Sequence, residues 1–418
     1  MVRNMKISLP NDKSSKNVLE VFNKPDKVYI PLIVSGDRDI TILVNKGDYV
    51  YKGEIIAKSK GNYRLPIHSS VSGTVIDFVE KTCFDGSKIK CVAIENDFKE
   101  KIEQKLSVKR HINKYTKEEF IERLKENGIV GLGGAGFPTY VKYESNKIKT
   151  LIINAVECEP FITADYVIIK NKIEEILEVI DAILEINKID EAIIAIKKDN
   201  IELKQLFDNF IGTYLKIKVK IIPNYYPVGW ERELIKKVTN KTYEKLPSEC
   251  GVVVNNISTI YSIYEALKYN KPLIERIVTI YNKDTFEGKN ILLKIGTPTS
   301  CFLNNDYKVI AGGPMMGKEV DNNLVISNNI NCILLTKRDS TKPIECLNCG
   351  KCVNVCPAKL SPVLIMKSIN SKEKDINKTK KLMPEKCCEC GLCSYICPSK
   401  ILVRQEVIKA KQQLKEAK

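Results

Sequence analysis

The chain has 418 residues, fifteen cysteines and a formal net charge of +16, a length that suits roughly two to four domains with real cores. Nine cysteines fall between Cys346 and Cys397, while Cys83, Cys91, Cys158, Cys250, Cys301 and Cys332 are scattered singly, which excludes a disulfide framework and fits a reduced compartment. The lysines are spread among Asn and Ile residues, with one Trp and no aromatic–basic module, so the charge reads as solvated surface and no nucleic-acid partner is expected. The rest of that excess suits acidic partners: nucleotide phosphates, an acidic electron carrier or an anionic membrane face. No apolar h-region follows Met-Val-Arg-Asn-Met-Lys and no stretch approaches a membrane span, so a cytoplasmic protein without a transmembrane segment is the expectation.

In chain order, residues 28–95 read as short strands at 28–32, 40–44, 73–78 and 90–94, punctuated by Asn45-Lys-Gly-Asp48 and Tyr51-Lys-Gly53. The pattern resembles the barrel-sandwich hybrid of biotinyl and lipoyl carrier domains. The carrier lysine is replaced at the hairpin by Pro66-Ile-His-Ser-Ser-Val, so a structural or docking module is expected, with His68 a turn or packing residue. A charged linker covers about 97–115. Thr116-Lys-Glu-Glu119 predicts a capping box opening a helix to Asn127, with Gly128 as its stop. Apolar runs at 150–155, 191–196 and 215–222, separated by helices near 166–187 and 199–211, predict a parallel β-α-β-α-β core. A further strand at 251–255 leads into a helix to about Tyr269. Residues 275–335 turn β-rich again and predict a small separate sheet domain, and 338–343 is a polar linker.

The last eighty residues hold two copies of C-x2-C-x2-C-x3-C-P: Cys346, Cys349, Cys352, Cys356-Pro357, then Cys387, Cys390, Cys393, Cys397-Pro398. Zinc needs two pairs of cysteines and gives no reason for the third cysteine or for the repeated proline; a cubane iron–sulfur cluster does. In two-cluster ferredoxins the fourth cysteine of each run ligates the other cluster. Cys346, Cys349, Cys352 and Cys397 are therefore assigned to one [4Fe–4S] centre, and Cys387, Cys390, Cys393 and Cys356 to the other. Cys388 breaks the spacing and reads as a bystander.

Val130-Gly-Leu-Gly-Gly-Ala-Gly-Phe-Pro138 contains G-x-G-x-x-G, but it follows a helix and is stopped by Phe137-Pro138, so it is not the dinucleotide fingerprint of a Rossmann strand-to-helix turn. A glycine backbone still lets a flat ring or a phosphate approach closely. This loop through Lys142 resembles the flavin domain of the C subunit of the Rnf ion-translocating ferredoxin:NAD oxidoreductase. So do Ile153-Asn-Ala-Val-Glu-Cys-Glu-Pro160, Tyr226-Pro-Val-Gly-Trp-Glu-Arg-Glu-Leu-Ile235, Val253-Val-Asn-Asn-Ile-Ser-Thr259 and Gly312-Gly-Pro-Met-Met-Gly317. More distantly, they resemble the FMN- and NADH-binding subunit of respiratory complex I.

The resemblance implies a multidomain α/β and α+β chain with four parts: a barrel-sandwich hybrid at 1–97, a Rossmann-like FMN/NADH domain at 115–270, a β-grasp (SLBB) domain at 271–337 and an α-helical dicluster ferredoxin domain at 340–418. It implies FMN held by Gly131, Gly133, Gly134 and Gly136 with Lys142 near its phosphate or ring edge. Asn154, Glu157 and Glu159 would line the flavin–nicotinamide site, the two carboxylates as catalytic residues. Gly229 and Glu231 would form a second loop over it, and Asn255, Asn256 and Thr259 would hold the phosphate. The implied function is electron transfer between NAD(H), FMN and the two clusters, at the cytoplasmic face of the cell membrane. The partners would be other subunits of a membrane electron-transport complex, with ferredoxin reached through one of them. Pro31-Leu-Ile-Val-Ser-Gly-Asp-Arg-Asp stands where such subunits usually carry H-I-G-A-P. That departure leaves room for a soluble flavin/iron–sulfur reductase, of the cobalamin reductase or amino-acid reductase kind; a non-catalytic wiring subunit is a separate alternative.

Overall fold

The computed structural model describes residues 7, 16, 18–22, 24–103, 110–303, 306–337, 342–371 and 376–417. Parts of both expected linkers, 104–109 and 338–341, lie outside the described residues. The N-terminal module is a sandwich. A four-stranded antiparallel sheet, in the order Lys27–Pro31, Lys88–Asn96, Gly73–Thr82, Tyr49–Val50, faces a three-stranded one of Ile40–Ile42, Ile55–Ser59 and Pro66–His68. Alternating apolar positions fill the space between them, with Val28, Ile30, Val50, Ile56, Leu65, Val75, Val92 and Ile94 buried. His68 is buried within its strand, and burial pushes its pKa down to about 4.

The capping box forms as expected: Thr116 Oγ1 accepts from the Glu119 amide at 3.2 Å, and Glu119 Oε2 accepts from the Thr116 amide at 2.8 Å. The helix Lys117–Glu126 follows. The middle domain is a parallel sheet in the order Ile217–Ile222, Glu191–Lys197, Thr150–Ala155, Val252–Asn256. Helices Ala164–Asn187 and Ile257–Tyr269 pack on one face, and Glu231–Thr239 covers the other through Leu234, Ile235 and Val238. The chain runs outward from 150–155 and then returns to 252–256, so the order reverses between these two strands. Open α/β sheets bind ligands in that crevice, at the carboxyl ends of the strands.

The next sheet has six strands, in the order Leu19–Phe22, Glu287–Lys294, Glu275–Asn282, Cys332–Thr336, Lys308–Ala311, Lys318–Val320. Residues 19–22 thus pair in parallel with 290–293 and extend this later sheet, although their place in the sequence groups them with the N-terminal module. The edge strand of the later sheet has a free side, and backbone pairing there does not depend on closeness in sequence.

The C-terminal domain repeats itself in backbone geometry. Asn348 and Glu389, Gly350 and Gly391, and Lys359 and Lys400 occupy left-handed conformations at matching places in the two cysteine runs. A short helix follows each glycine, Lys351–Asn354 and Leu392–Tyr395. Helices Pro362–Ile369 and Val403–Glu416 pack over the pair.

Candidate flavin and cluster sites

The two cysteine runs interleave. Cys346, Cys349, Cys352 and Cys397 line one hollow, and Cys356, Cys387, Cys390 and Cys393 line a second. The exchange of fourth cysteines has a local cause: the Ile344 amide donates to Ser399 O at 3.1 Å and Ser399 Oγ donates to Glu345 O at 2.9 Å. These bonds fasten the start of the first run to the end of the second. Each set of four thiols lines one hollow, a donor set that suits a polynuclear cluster. The amides of Leu360 and Glu389 donate to Cys356 Sγ and Cys387 Sγ, each at 3.3 Å. Cys388 lines the second hollow beside the expected ligands.

The glycine loop lies at the crevice between strands 150–155 and 252–256, and three domains hold it. Within its own domain, Thr259 Oγ1 accepts from the Leu132 amide at 2.9 Å. Ser35 of the N-terminal module donates to Gly136 O at 2.6 Å, and Asn329 beside the six-stranded sheet donates to Gly134 O at 3.3 Å. Gly133 packs so closely on Asn256 that a Cβ there would lie 2.8 Å from Asn256 Cβ, whereas a Cβ on Gly134 meets nothing within 4 Å. The loop therefore offers an open backbone face, which suits a flat ring or phosphate.

The other expected FMN residues surround this loop and carry definite protein contacts. Asn255 donates to the Tyr143 hydroxyl. Asn256 caps the helix Ile257–Tyr269 by accepting from the Ser258 amide at 2.9 Å, and it donates to Asp165 at 2.6 Å. Asn256 and Thr259 thus fasten the loop to the helix start, where the Asp165 carboxylate already accepts from Asn256 and from the Ser258 hydroxyl. Lys142 Nζ donates to Val254 O at 2.8 Å and lies 3.9 Å from Glu231. Burial lowers its pKa, and the Glu231 carboxylate opposes that shift. Glu231 also accepts from the Tyr243 hydroxyl at 3.1 Å. Asn154 Nδ2 donates to Gly229 O at 3.0 Å, which draws the 226–231 segment over the end of the central strand.

The two carboxylates part company. Glu157, at φ +39, accepts from the Asp165 amide at 2.9 Å and so joins the Asp165–Asn256 network beside the glycine loop. Glu159 reaches the other way: its Oε1 accepts from the Met315 amide at 2.8 Å and the Met316 amide at 2.5 Å. A Cβ on Gly313 would lie 2.6 Å from its carboxyl carbon. Sequence reasoning did not foresee this structural task, nor the role of Arg276. That guanidinium is buried beneath the loop, donating to the carbonyls of Asn328 and Leu132. Burial brings its pKa down to about 10, against the nearby Asp165.

Three family models match this chain: the RnfC barrel sandwich hybrid domain over residues 5–99, the Nuo51 FMN-binding domain over 124–265 and the 4Fe-4S dicluster domain over 342–401. The C subunit of the proton-translocating ferredoxin:NAD(+) oxidoreductase complex of Clostridium ljungdahlii is 33% identical over 364 residues, covering 83% of this chain and 79% of that protein. The chain belongs to the family of C subunits of ion-translocating ferredoxin:NAD(+) oxidoreductases. The C subunit of the Na(+)-translocating complex of Acetobacterium woodii is 30% identical over 82% of this chain and 81% of its own length. An NAD+-reducing [NiFe]-hydrogenase crystal structure shares the fold over 73% of this chain and 63% of its own, with a TM-score of 0.52 and 14% identity. In this member of the family, the first matched domain is the sandwich, the second contains the glycine loop and the third contains both four-cysteine hollows. Among the described residues no helix is long and apolar enough to cross a membrane.

Proposed function

We propose that this chain is the electron-transferring C subunit of a membrane-associated ferredoxin:NAD oxidoreductase complex, passing electrons between NAD(H), FMN and two [4Fe–4S] clusters, with partner subunits coupling the transfer to ion translocation. It sits peripherally at the cytoplasmic face, and ferredoxin is reached through a partner. The observation that carries the reading is the joining, in one chain, of two four-thiol hollows to an open glycine loop at the crevice of a parallel sheet. FMN supplies the conversion of a two-electron hydride into single electrons that the clusters accept. The backbone of Gly131, Gly133, Gly134 and Gly136 gives close approach to the isoalloxazine or phosphate. Lys142 provides a half-buried cation at the site's edge. The helix start behind Asn255, Asn256 and Thr259 favours the phosphate. The segment carrying Gly229 and Glu231 covers the crevice, with Asn154 as its anchor, and Glu157 stands beside the nicotinamide approach. We assign the six-stranded sheet to the β-grasp (SLBB) type, whose place in chain order it occupies. The test is anaerobic purification followed by NADH titration. The expected result is about eight irons per chain, with flavin bleached by NADH. Flavin that NADH cannot reduce would leave a wiring subunit in place of an oxidoreductase.

A further inference from the structure

The two cysteine runs repeat the same turn, yet their surroundings differ. At the first, Gly350 has nothing within 4 Å of the position a Cβ would take, and Cys349 is exposed. At the second, the Cys390–Gly391 turn is gripped from two sides. Tyr226, 3% exposed, donates its hydroxyl to Cys390 O at 2.6 Å. A Cβ on Gly391 would lie 2.1 Å from Met315 O. Tyr226, Met315, Val355, Cys390 and Leu392 form one apolar cluster, with Cys158 packed against it.

Both grips lead straight back to the candidate flavin site. Tyr226 stands three residues before Gly229, whose carbonyl is bonded to Asn154 at 3.0 Å. The Met315 amide is bonded to Glu159 at 2.8 Å, two residues from Glu157. Tyr226 of the flavin domain and Met315 of the six-stranded-sheet domain, itself bonded to Glu159, thus hold one cysteine turn together, and its sequence-equivalent twin is left open.

We infer that the Cys390–Gly391 turn is the contact through which electrons pass from the flavin domain to the cluster of Cys356, Cys387, Cys390 and Cys393, and that Tyr226 and Met315 are the positioning residues that hold it there. The inference rests on the proposed flavin site. The electron balance is simple: NADH gives a hydride, two oxidised clusters take one electron each, and NAD+ and a proton remain. A cluster held by Cys356, Cys387, Cys390 and Cys393 would be the one beside the flavin domain, and one held by Cys346, Cys349, Cys352 and Cys397 would be the outer one-electron carrier. Tyr226 touches no reacting atom; it sets a distance.

Tyr226→Phe removes one hydroxyl and keeps the ring, so folding and the apolar cluster persist. Iron and FMN content are measured first, followed by stopped-flow flavin bleaching with NADH and freeze-quench EPR of the clusters. The expected result is wild-type iron, wild-type FMN and wild-type bleaching, with cluster reduction slowed severalfold. Gly391→Ala, which drives a methyl into Met315 O, is expected to slow the same step further. Cluster reduction at the wild-type rate in Tyr226→Phe would overturn the inference. A wild-type protein whose flavin NADH does not bleach, while dithionite still reduces the clusters, would instead refute the flavin-site reading and the inference with it.

Discussion

Gly134→Val separates the loop's ligand-binding role from its structural one. The Gly134 backbone lies outside the left-handed region and nothing stands within 4 Å of its would-be Cβ. The added Cβ therefore meets no protein atom within 4 Å in the free chain, and as an exposed substitution the valine should change stability by no more than about 0.5 kcal/mol. A bound ring lying on that backbone would have to accommodate the added methyl groups, an overpacking cost of about 1–3 kcal/mol, which is a roughly five- to hundredfold weaker FMN Kd. Gly133→Ala makes the contrast. Its methyl would lie 2.8 Å from Asn256 Cβ, displacing the side chain that caps one helix and bonds Asp165, so stability and FMN affinity should fall together. The assay is FMN fluorescence quenching on anaerobically deflavinated protein, with calorimetric Tm measured alongside. A Gly134→Val protein with wild-type FMN affinity, or one destabilised as much as Gly133→Ala, would refute the placement of the flavin on this loop.

Crossed ligation predicts that Cys352→Ser and Cys397→Ser extinguish the same EPR signal; different signals would return each cysteine run to a cluster of its own. Glu159→Gln retains an acceptor for the Met315 and Met316 amides and should keep wild-type Tm and NADH bleaching. Glu159→Ala leaves those amides without their acceptor and should lower stability by about 1–3 kcal/mol. If Gln slows NADH oxidation as much as Ala does, the charge of Glu159 acts on the nucleotide, as the family resemblance implies. His68, held neutral by burial with a pKa of about 4, takes up protons between about pH 6.5 and 4 only in the unfolded chain. Stability should therefore be full above pH 6.5 and fall with pH across that window, by on the order of 3 kcal/mol. His68→Gln should flatten this slope in urea unfolding, and an unchanged slope would assign the pH dependence to other groups.

What could be read from the sequence was what depends on local spacing. The x2-x2-x3 cysteine intervals, the Thr116–Glu119 capping box and the alternation of apolar strands with amphipathic helices are set within a few turns of chain, and the structure reproduces each. The glycine loop was legible for the same reason: four glycines before Phe-Pro leave the backbone bare. What escaped was set by contacts between distant segments. Residues 19–22 read as part of the first module because an edge strand's pattern does not name the sheet it will join. Arg276 alternates within a strand like any polar residue, and nothing in Glu275-Arg-Ile-Val-Thr-Ile-Tyr-Asn282 shows that its guanidinium ends beneath a loop formed by residues 131–138. The amides that Glu159 accepts from lie 156 and 157 positions later, so that contact could not be read locally.

The same long-range contacts explain why the two clusters, so alike in sequence, are not interchangeable. A hydride donor delivers two electrons at once, and a chain that releases them singly uses a flavin with a one-electron acceptor close to it; a second acceptor can face the next carrier. Duplicating one cysteine motif supplies two acceptors of the same chemistry, and the difference between them has to come from what surrounds each turn. Tyr226 and Met315 close over Cys390 and Gly391, while Cys349 stays exposed beside Leu347 at 62% and Ile344 at 61% exposure. Hydrogen bonding and solvent exposure tune cluster potentials, so the packing that aims the inner cluster at the flavin also gives it a different electrostatic setting from the outer one. Direction along the pair is therefore a property of the domain interface, and it is at that interface, more than at the cysteines themselves, that substitutions should alter the flow of electrons while leaving both clusters in place.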